Sequence, residues 1–468
     1  MTSIDKLPDD VLLEIFDTYY EDEAEDIPRK YELEAWVALV HVCRRWRTVI
    51  FQSRHRLNLR LVCTNRTPAR DLVDIWPPLP LYIQGEGSFT TESVDNIVAV
   101  LEHGSRVREI ELKYIPSSQM ETVLATMQKP FLELTHLLLT SDDLGTVPVI
   151  PDSFLGRSAP RLQRLKLDGV PFPGLPKLST THLANLHLYD IPHSGYISPE
   201  AMVTVLSALT CLETLSLQFS SSRSYLDRES PLPPLTRSVL PILTFFSFKG
   251  VNEYLEDLVA RIDCPQLGKL YIVFFNDILF DTPQVIKFIN HTPALKALEK
   301  AHVVFGNRAA GVSLSSQTSG FRELYVEISC TKLGWQVSSL VQVFNSLNSP
   351  FPSVSTLEDL YINEHPSAKP NWQDNIDNAV WLELLGLFTA VKNLYLSEEF
   401  ARRIAPALQE LVGVGTTEVL PTLQNIFLEG LQPSGPVPEG IQRFVTTRQA
   451  AGHPIASIAA STAVSGWY

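Results

Sequence analysis

A short apolar pattern recurs along most of this chain and limits what the chain can fold into. The pattern is Leu-x-x-Leu-x-Leu, with isoleucine, valine or phenylalanine at some of the apolar positions. Clear copies begin at Leu162, Leu183, Leu212, Leu267, Phe321, Leu357, Val391 and Leu423, and weaker copies begin at Val107, Leu134 and Leu243. Apolar residues that alternate over so few positions are typical of a β-strand with one buried face. Because no single copy can bury its apolar face alone, the copies must stack into one continuous core.

Segments of helical character separate the copies, for example residues 199–209, 253–262 and 337–347. Strands that alternate with helices predict a parallel sheet with the helices on its outer side. The pattern itself is the strand signature of leucine-rich repeats. We therefore expect an α/β fold, a leucine-rich-repeat solenoid in the form of a horseshoe with a parallel sheet on its concave face. His302 and Val303 indicate one more strand in a degenerate copy, and His302 is interpreted there as a structural residue.

The residue between the last two leucines of each copy should face away from the core, because strand side chains alternate between the two faces. In the C-terminal half this position is aromatic in five copies, at Tyr271, Tyr325, Tyr361, Tyr395 and Phe427. We predict that these side chains form a near-continuous aromatic row that binds a target protein, since aromatic residues are favoured anchors at interfaces. The alternative is that tyrosine fills these positions only because it has a high strand propensity.

The first residues of the chain predict a small helical module. Pro8 suits the first turn of a helix, and the two aspartates after it suit the positive end of the helix dipole. Apolar residues then follow at helical spacing up to Phe16, and a second helix is predicted from about Leu33 to Gln52. Two amphipathic helices of this size need a further partner to cover their apolar faces.

Three separate pieces of this module resemble the F-box pattern: Leu7-Pro8, Ile15-Phe16, and the run Val42-Cys43-Arg44-Arg45-Trp46-Arg47. The spacing departs from the usual one, because the acidic segment 21–30 stands between the halves, and we interpret this segment as a solvated loop. The chain looks similar to fungal F-box-like proteins that carry such insertions. The resemblance implies binding to the Skp-type adaptor of an SCF ubiquitin ligase. The residues it implies for this contact are Leu7, Pro8, Leu12, Ile15, Phe16, Val42, Cys43 and Trp46.

These patterns divide the chain into four parts. Residues 1–56 are the F-box-like helical module, and residues 57–105 are a connecting segment and N-terminal cap. Residues 106–432 are the leucine-rich-repeat domain, and residues 433–468 are a C-terminal cap with a frayed tail from about Gly452. The resemblance together with the repeats implies a substrate-recognition adaptor that binds a target protein through its repeats. The alternative is a repeat scaffold without a ligase role, whose N-terminal helices only cap the array.

Composition and motifs argue against other functions. The net charge of −14 disfavours broad nucleic-acid binding, and we interpret the arginine cluster around Arg44 to Arg60 as a solvated helix face that pairs with the acidic segment. The five cysteines are far apart and form no Cys-x-x-Cys pair, which favours reduced thiols in the cytoplasm or nucleus over disulfides or zinc. There is no phosphate-binding loop, nucleophile elbow or zinc-protease motif. We therefore expect no enzyme, no cofactor, no metal and no membrane contact.

Overall fold

A computed structural model describes most of the chain in two compact units, Met1–Asn185 and Leu186–Tyr468, and each is described by itself. The described residues are 6–26, 33–54, 56–65, 73–87, 89–142, 147–221, 237–275, 282–296, 298–316, 322–344, 356–372, 376–411, 419–429 and 437–461. Phe321, the first residue of one predicted repeat copy, lies outside them. Within the described residues, no helix has both the length and the apolar character needed to cross a membrane.

The first unit begins with three helices, α1 (Asp9–Asp26), α2 (Leu33–Val42) and α3 (Arg44–Gln52). Helix α1 continues through residues 21–26, so the prediction of a loop in this part of the acidic segment was wrong. Residues 27–30 of that segment lie outside the described residues. The helix persists because glutamate and alanine are good helix formers and the first proline after Pro8 is Pro28. The acidic run therefore lengthens the first helix.

The single helix predicted from Leu33 to Gln52 is broken at Cys43, which has an extended backbone with φ −158° and ψ 169°. Its sulfur accepts a hydrogen bond from the backbone N–H of Trp46 at 3.5 Å, so Cys43 is the N-cap of α3. A cap satisfies one of the backbone donors that the first turn of a helix leaves unpaired. The break lets α2 and α3 pack on each other, which one straight helix could not do.

The repeats of the first unit form a parallel sheet in the order β1-β2-β3-β4-β5. Two of these strands, β1 and β2, lie in the segment 57–105 that was predicted to be a connector and cap. Helices α4 and α5 follow β2 and β3. The bounds are β1 (Leu61–Thr64), β2 (Leu81–Glu86), α4 (Thr91–Leu101), β3 (Val107–Ile115), α5 (Ser117–Thr126), β4 (His136–Ser141) and β5 (Arg164–Asp168).

The second unit alternates strands and helices in the same way. Its first elements are β6 (Asn185–Ile191), α6 (Pro199–Ala208), β7 (Thr214–Phe219), β8 (Ser238–Val239), β9 (Phe245–Gly250), α7 (Asn252–Val259), β10 (Ile262–Asp263), β11 (Lys269–Phe274) and α8 (Pro283–His291). The elements that follow are β12 (Lys300–Phe305), β13 (Ala309–Ser315), β14 (Glu323–Ser329), α9 (Leu333–Phe344), β15 (Asp359–Glu364), α10 (Asn378–Gly386) and β16 (Asn393–Leu396). The last elements are α11 (Glu398–Glu410), β17 (Asn425–Glu429), α12 (Glu439–Ala450) and β18 (Ser457–Ser461).

The main sheet of this unit has the order β6-β7-β9-β11-β14-β13-β12-β15-β16-β17-β18. The predicted strand at His302 and Val303 is confirmed as β12. The sheet is mostly parallel, as predicted for leucine-rich repeats, but β13 is antiparallel to both β12 and β14. The chain makes the meander β12-β13-β14 without an intervening helix, and an antiparallel pair needs only a short turn. Strand β14 then pairs with β11, and β12 pairs with β15.

Burial along the strands follows the predicted alternation. In β11, Leu270, Ile272 and Phe274 are buried, whereas Tyr271 and Val273 between them are partly exposed. The buried residues face the helices and make the core, so the sheet has one packed face and one open face. We call the side opposite the helices the open face. Strand β18 pairs in parallel with β17, so the prediction of a frayed tail was wrong for residues 457–461, and residues 462–468 lie outside the described residues.

Candidate functional site

The five predicted target-binding residues all lie on the open face of the second unit, half-buried and in one row. The register aligns Tyr271 with Tyr325, and it aligns Tyr361 with Tyr395 and then Phe427. The row is interrupted, contrary to the prediction of a near-continuous row, because the reversed strand β13 places Ser313 beside Tyr325. The antiparallel meander thus divides the aromatic residues into two groups.

The larger group is a stack of four rings, and its first member is His302, which sequence reasoning did not include. The ring centroids of His302 and Tyr361 are 4.2 Å apart, those of Tyr361 and Tyr395 are 4.1 Å apart, and those of Tyr395 and Phe427 are 4.5 Å apart. The planes differ by only 2°, 8° and 10°. Parallel rings at this spacing cover one another's faces, so the stack offers ring edges and hydroxyls to a partner. The signal for His302 was available, because it occupies the outward position between the apolar residues Ala301 and Val303.

Burial sets the ionisation of this stack. The pKa of His302 falls to about 4, chiefly because burial penalises the charged imidazole and also because Lys300 is nearby. Burial and the hydrogen bond with Tyr395 raise the pKa of Tyr361 above its ordinary value. His302 is therefore neutral around pH 7, and the hydroxyl of Tyr361 keeps its proton.

A ladder of polar side chains runs beside the stack and holds its register. The amide of Asn393 donates to the carboxylate of Asp359 at 2.7 Å, and the amide of Asn425 donates to the side-chain oxygen of Asn393 at 2.8 Å. The hydroxyl of Ser457 completes the ladder by donating to Asn425 at 2.7 Å. One-residue slips of any strand would break these bonds, so the ladder fixes which rings meet.

The smaller group contains Tyr271 and Tyr325, whose centroids are 5.8 Å apart, with carboxylates as partners. The hydroxyl of Tyr271 donates to Glu323, and that of Tyr325 donates to Glu327 at 2.6 Å. The hydroxyl of Ser313 donates to the other oxygen of Glu323 at 3.1 Å. Burial and these carboxylates raise the pKa of both tyrosines. This part of the open face is acidic and rich in oriented oxygen atoms.

The second candidate surface lies on the N-terminal helices, where the structure separates the predicted adaptor-binding residues into two kinds. Leu12 and Phe16 are buried, with 0% and 1% exposure. They face the interior of the module, so the prediction that they contact a partner directly was wrong. Phe16 packs against Trp46 with ring centroids 4.9 Å apart. These side chains hold the helices together.

Other members of the predicted set are exposed. Ile15 is 43% exposed and Val42 is 59% exposed, and Pro8 is also exposed, whereas Leu7, Cys43 and Trp46 are only partly exposed. Sequence reasoning missed Val11 and Tyr19, which are 37% and 39% exposed. Val11, Ile15 and Tyr19 are four residues apart and therefore share one side of α1. We call Val11, Ile15, Tyr19 and Val42 the apolar stripe.

Ion pairs orient α1 and α3. Arg45 near the start of α3 pairs with Asp9 at 2.6 Å and also donates to the backbone carbonyl of Leu7. Arg56, just beyond α3, pairs with Asp17 at 3.1 Å. The first contact joins the starts of the two helices, and the second joins the middle of α1 to the turn after α3, so α1 and α3 run side by side in the same direction. Arg45 and Arg56 thus pair with aspartates in the first half of α1, and the predicted pairing with the acidic segment involves side chains outside the described ones.

An aromatic cluster joins the helices to the segment before β2. Trp36 is 2% exposed, and its ring lies 5.2 Å from that of Trp76, while Phe51 lies 6.2 Å from Trp76. This cluster covers the side of the helices that the sequence left without a partner. The apolar stripe remains exposed.

Comparison with protein families gives a match for this module, because the F-box-like family model matches residues 4–60. The chain combines an F-box-like module with leucine-rich repeats. Among solved structures, the crystal structure of the leucine-rich repeat-containing protein LegL7 from Legionella pneumophila is similar at 12% identity and a TM-score of 0.29. The match covers 84% of this chain and 98% of that chain. No curated protein sequence matches the chain. The repeat assignment rests on this chain's own strands.

The F-box-like module and the repeats each offer a contact surface. Over the described ranges, no three histidine, cysteine, aspartate or glutamate side chains are grouped so that they could hold a metal ion. The five cysteines are free thiols, and burial raises the pKa of Cys63 to about 11. What the geometry provides is an apolar stripe on the F-box-like module and a row of ring edges, hydroxyls and carboxylates on the repeats.

Proposed function

We propose that this protein is a substrate-recognition adaptor of an SCF-type ubiquitin ligase. The F-box-like module binds the Skp-type adaptor, and the repeats hold a target protein. The observation that carries the proposal is the apolar stripe, which stays exposed on the segment that matches the F-box-like family. Exposed apolar groups that share one side of a helix favour a protein partner. Such a role involves no catalysis by this chain and places it in the cytoplasm or the nucleus.

The direct test removes apolar groups that are exposed in the free protein. The double variant Ile15→Ala, Val42→Ala deletes the two most exposed members of the stripe. Burying an apolar side chain contributes roughly 1.5–3 kcal/mol, and these residues can bury only their exposed fractions, so binding should weaken by about 1–2 kcal/mol. That corresponds to about 5–30-fold in the dissociation constant of the purified Skp-type adaptor, measured by surface plasmon resonance.

The matched control is Leu132→Ala, which truncates a leucine that is 52% exposed in the repeats of the same unit. This control should bind the adaptor like the unchanged protein. Equal binding by the double variant and the control would remove the F-box-like role. The Leu7→Ala, Ile15→Ala double variant provides a second test of the same surface.

The target is proposed to bind the open face of the second unit through Tyr271, Tyr325, Tyr361, Tyr395 and Phe427. Because the stacked rings cover one another, hydroxyls and ring edges are the available contacts. The double variant Tyr361→Phe, Tyr395→Phe removes two hydroxyls and keeps the stack. We expect it to lower target recovery in affinity purification with mass spectrometry, whereas Tyr114→Phe, at an exposed tyrosine of the first unit, should not. If the Tyr361→Phe, Tyr395→Phe variant recovers every adaptor-dependent target as well as the unchanged protein does, these hydroxyls are not part of the target-binding site.

The alternative function is a repeat scaffold without a ligase role, and the aromatic cluster of Trp36, Phe51 and Trp76 favours it. This cluster packs the helices onto the segment before β2, as a capping unit would require. A cap needs no exposed stripe, so the two functions differ in what the apolar stripe does. Failure of the unchanged protein to bind the Skp-type adaptor would favour the scaffold.

A further inference from the structure

A cavity of about 280 Å³ lies in the first unit, where the turn after α3 meets the starts of β2 and β3. Arg54 and Asn58 line it from the turn. Arg106, the residue before β3, and Arg108, within β3, line it from the sheet, and Glu133 lines it from the segment before β4. The adaptor and target surfaces proposed above use none of these residues. The cavity is therefore a separate feature.

Its lining is strongly positive for so acidic a chain. Three arginines and one glutamate, Glu133, are the charged residues that line it, and Glu133 is already paired with Arg161. Asp74 is outside the lining but acts on the charge of Arg106. Arg54 and Arg108 form no ion pair with any residue that the structure describes. In a protein of net charge −14, two arginines in one cavity that have no acidic partner among the described residues produce a local positive potential.

Arg106 is held in place by backbone contacts. Its Nε donates to the carbonyl of Leu79 at 3.1 Å, and its Nη2 donates to the carbonyl of Pro77 at 3.3 Å. Burial lowers the pKa of Arg106, which means that the surroundings penalise its charge. An anion in the cavity would offset that penalty.

Arg108 is directed by an irregularity of the sheet. The register pairs Leu81 with Val107 and then Tyr82 with Glu109, so Arg108 is an extra residue in a β-bulge. A bulge changes the direction of side chains and is common beside functional sites. The carbonyl of Arg108 accepts from both the N–H and the hydroxyl of Thr135, at 2.8 and 3.1 Å, which fixes the bulge.

We propose that this cavity binds a phosphate group through Arg54, Arg106 and Arg108. Guanidinium groups bind phosphate oxygens with paired hydrogen bonds, and a phosphate dianion matches the charge of Arg54 and Arg108, which have no acidic partner among the described residues. The phosphate could belong to a free polyphosphate or to a phosphorylated side chain of a partner, and the chemistry of recognition is the same. The site would add a phosphate-dependent contact beside the N-terminal helices.

The experiment is calorimetric titration of the full chain at constant ionic strength, with chloride as the reference anion. The probes are inorganic phosphate, pyrophosphate and an end-blocked phosphoserine peptide. Arg54→Gln and Arg108→Gln should each weaken binding at least about tenfold, the loss expected for one charge-assisted contact. The matched control is Arg164→Gln, which removes one exposed arginine from β5, outside the cavity, and should change binding less than about twofold.

The probes separate the two sources of the phosphate. Binding of pyrophosphate but not of the peptide indicates a free polyphosphate, and binding of the peptide at least as tight as that of pyrophosphate indicates a phosphorylated partner. Either result supports phosphate binding in the cavity if Arg54→Gln and Arg108→Gln weaken that binding. Equal losses in the cavity variants and in Arg164→Gln, or heats no larger than those with chloride, would overturn the proposal. Arg54→Gln alone remains a valid test if the change at the bulge disturbs folding, because Arg54 lies in a turn.

Discussion

Replacing Tyr395 by alanine should destabilise the second unit, because Tyr395 is inside the stack of rings on the open face. Its ring lies 4.1 Å from that of Tyr361 and 4.5 Å from that of Phe427, and both pairs are nearly parallel. An aromatic pair contributes about 0.5–1.5 kcal/mol beyond its buried area, so the loss of two pairs should lower the free energy of unfolding by about 1–3 kcal/mol. The effect should be local, since repeats contact mainly their neighbours.

The control variant is Tyr395→Phe, which keeps both stacked pairs and removes only the hydroxyl. Its cost should stay below about 1 kcal/mol, the usual net value of one hydrogen bond. Urea unfolding followed by circular dichroism gives the free energies, and amide hydrogen exchange across β15, β16 and β17 shows whether the loss is local. A cost below about 0.5 kcal/mol for Tyr395→Ala, or equal costs for the two variants, would refute the argument that stacking stabilises this face.

Three further predictions concern packing and titration. Phe16→Ala should lower the free energy of unfolding by about 3–5 kcal/mol because it leaves a cavity at a buried site. The control Ile15→Ala should change that free energy by less than about 1 kcal/mol. Equal losses of the two variants in thermal melts would contradict the assignment of Phe16 to the core. The pKa of His302 is lowered from 6.5 to about 4 in the folded state, so the folded state binds fewer protons than the unfolded state between these pH values. The stability present above pH 6.5 therefore decreases as the pH falls from 6.5 towards 4, by at most about 3 kcal/mol. His302→Phe should therefore lose less stability than the unchanged protein over that range in urea titrations, and parallel curves would contradict it. Gly440→Ala should lower the free energy of unfolding by about 1–3 kcal/mol, because the new Cβ would lie 2.7 Å from the carbonyl carbon of Ala405, where α12 contacts α11. An unchanged melting temperature would show that the two helices can move apart without loss of stability.

The repeats and their phase could be predicted from the sequence because both are local properties. Alternation of apolar residues within a strand decides which side chains enter the core, whichever strands become neighbours. For the same reason the five aromatic positions lie on the open face as expected. The helical spacing of Val11, Ile15 and Tyr19 was also present in the sequence.

The pairing of strands was decided by the tertiary structure. The sequence predicted β12 and β14 and missed β13, and it did not show that β14 returns to β11 while β13 reverses. Sequence therefore predicted a continuous aromatic row, whereas the fold interrupts it at Ser313 and adds His302 to the stack. Neighbours in a sheet depend on long-range contacts between segments, which no local pattern contains.

The same division holds for the N-terminal module and the positive cavity. The residue pattern identified the F-box-like pieces, but a motif does not show which of its apolar residues are buried. The packing of Phe16 on Trp46 decided that Phe16 is buried and Ile15 is not. Arg54, Arg106 and Arg108 are more than fifty positions apart at the extremes, and only a bulge and a turn bring them to one cavity. The sequence by itself determined the local elements and the faces they present, because those depend on backbone period and side-chain polarity. The tertiary structure alone decided which of those faces meet and which stay open to a partner, because burial is a property of the whole packed chain.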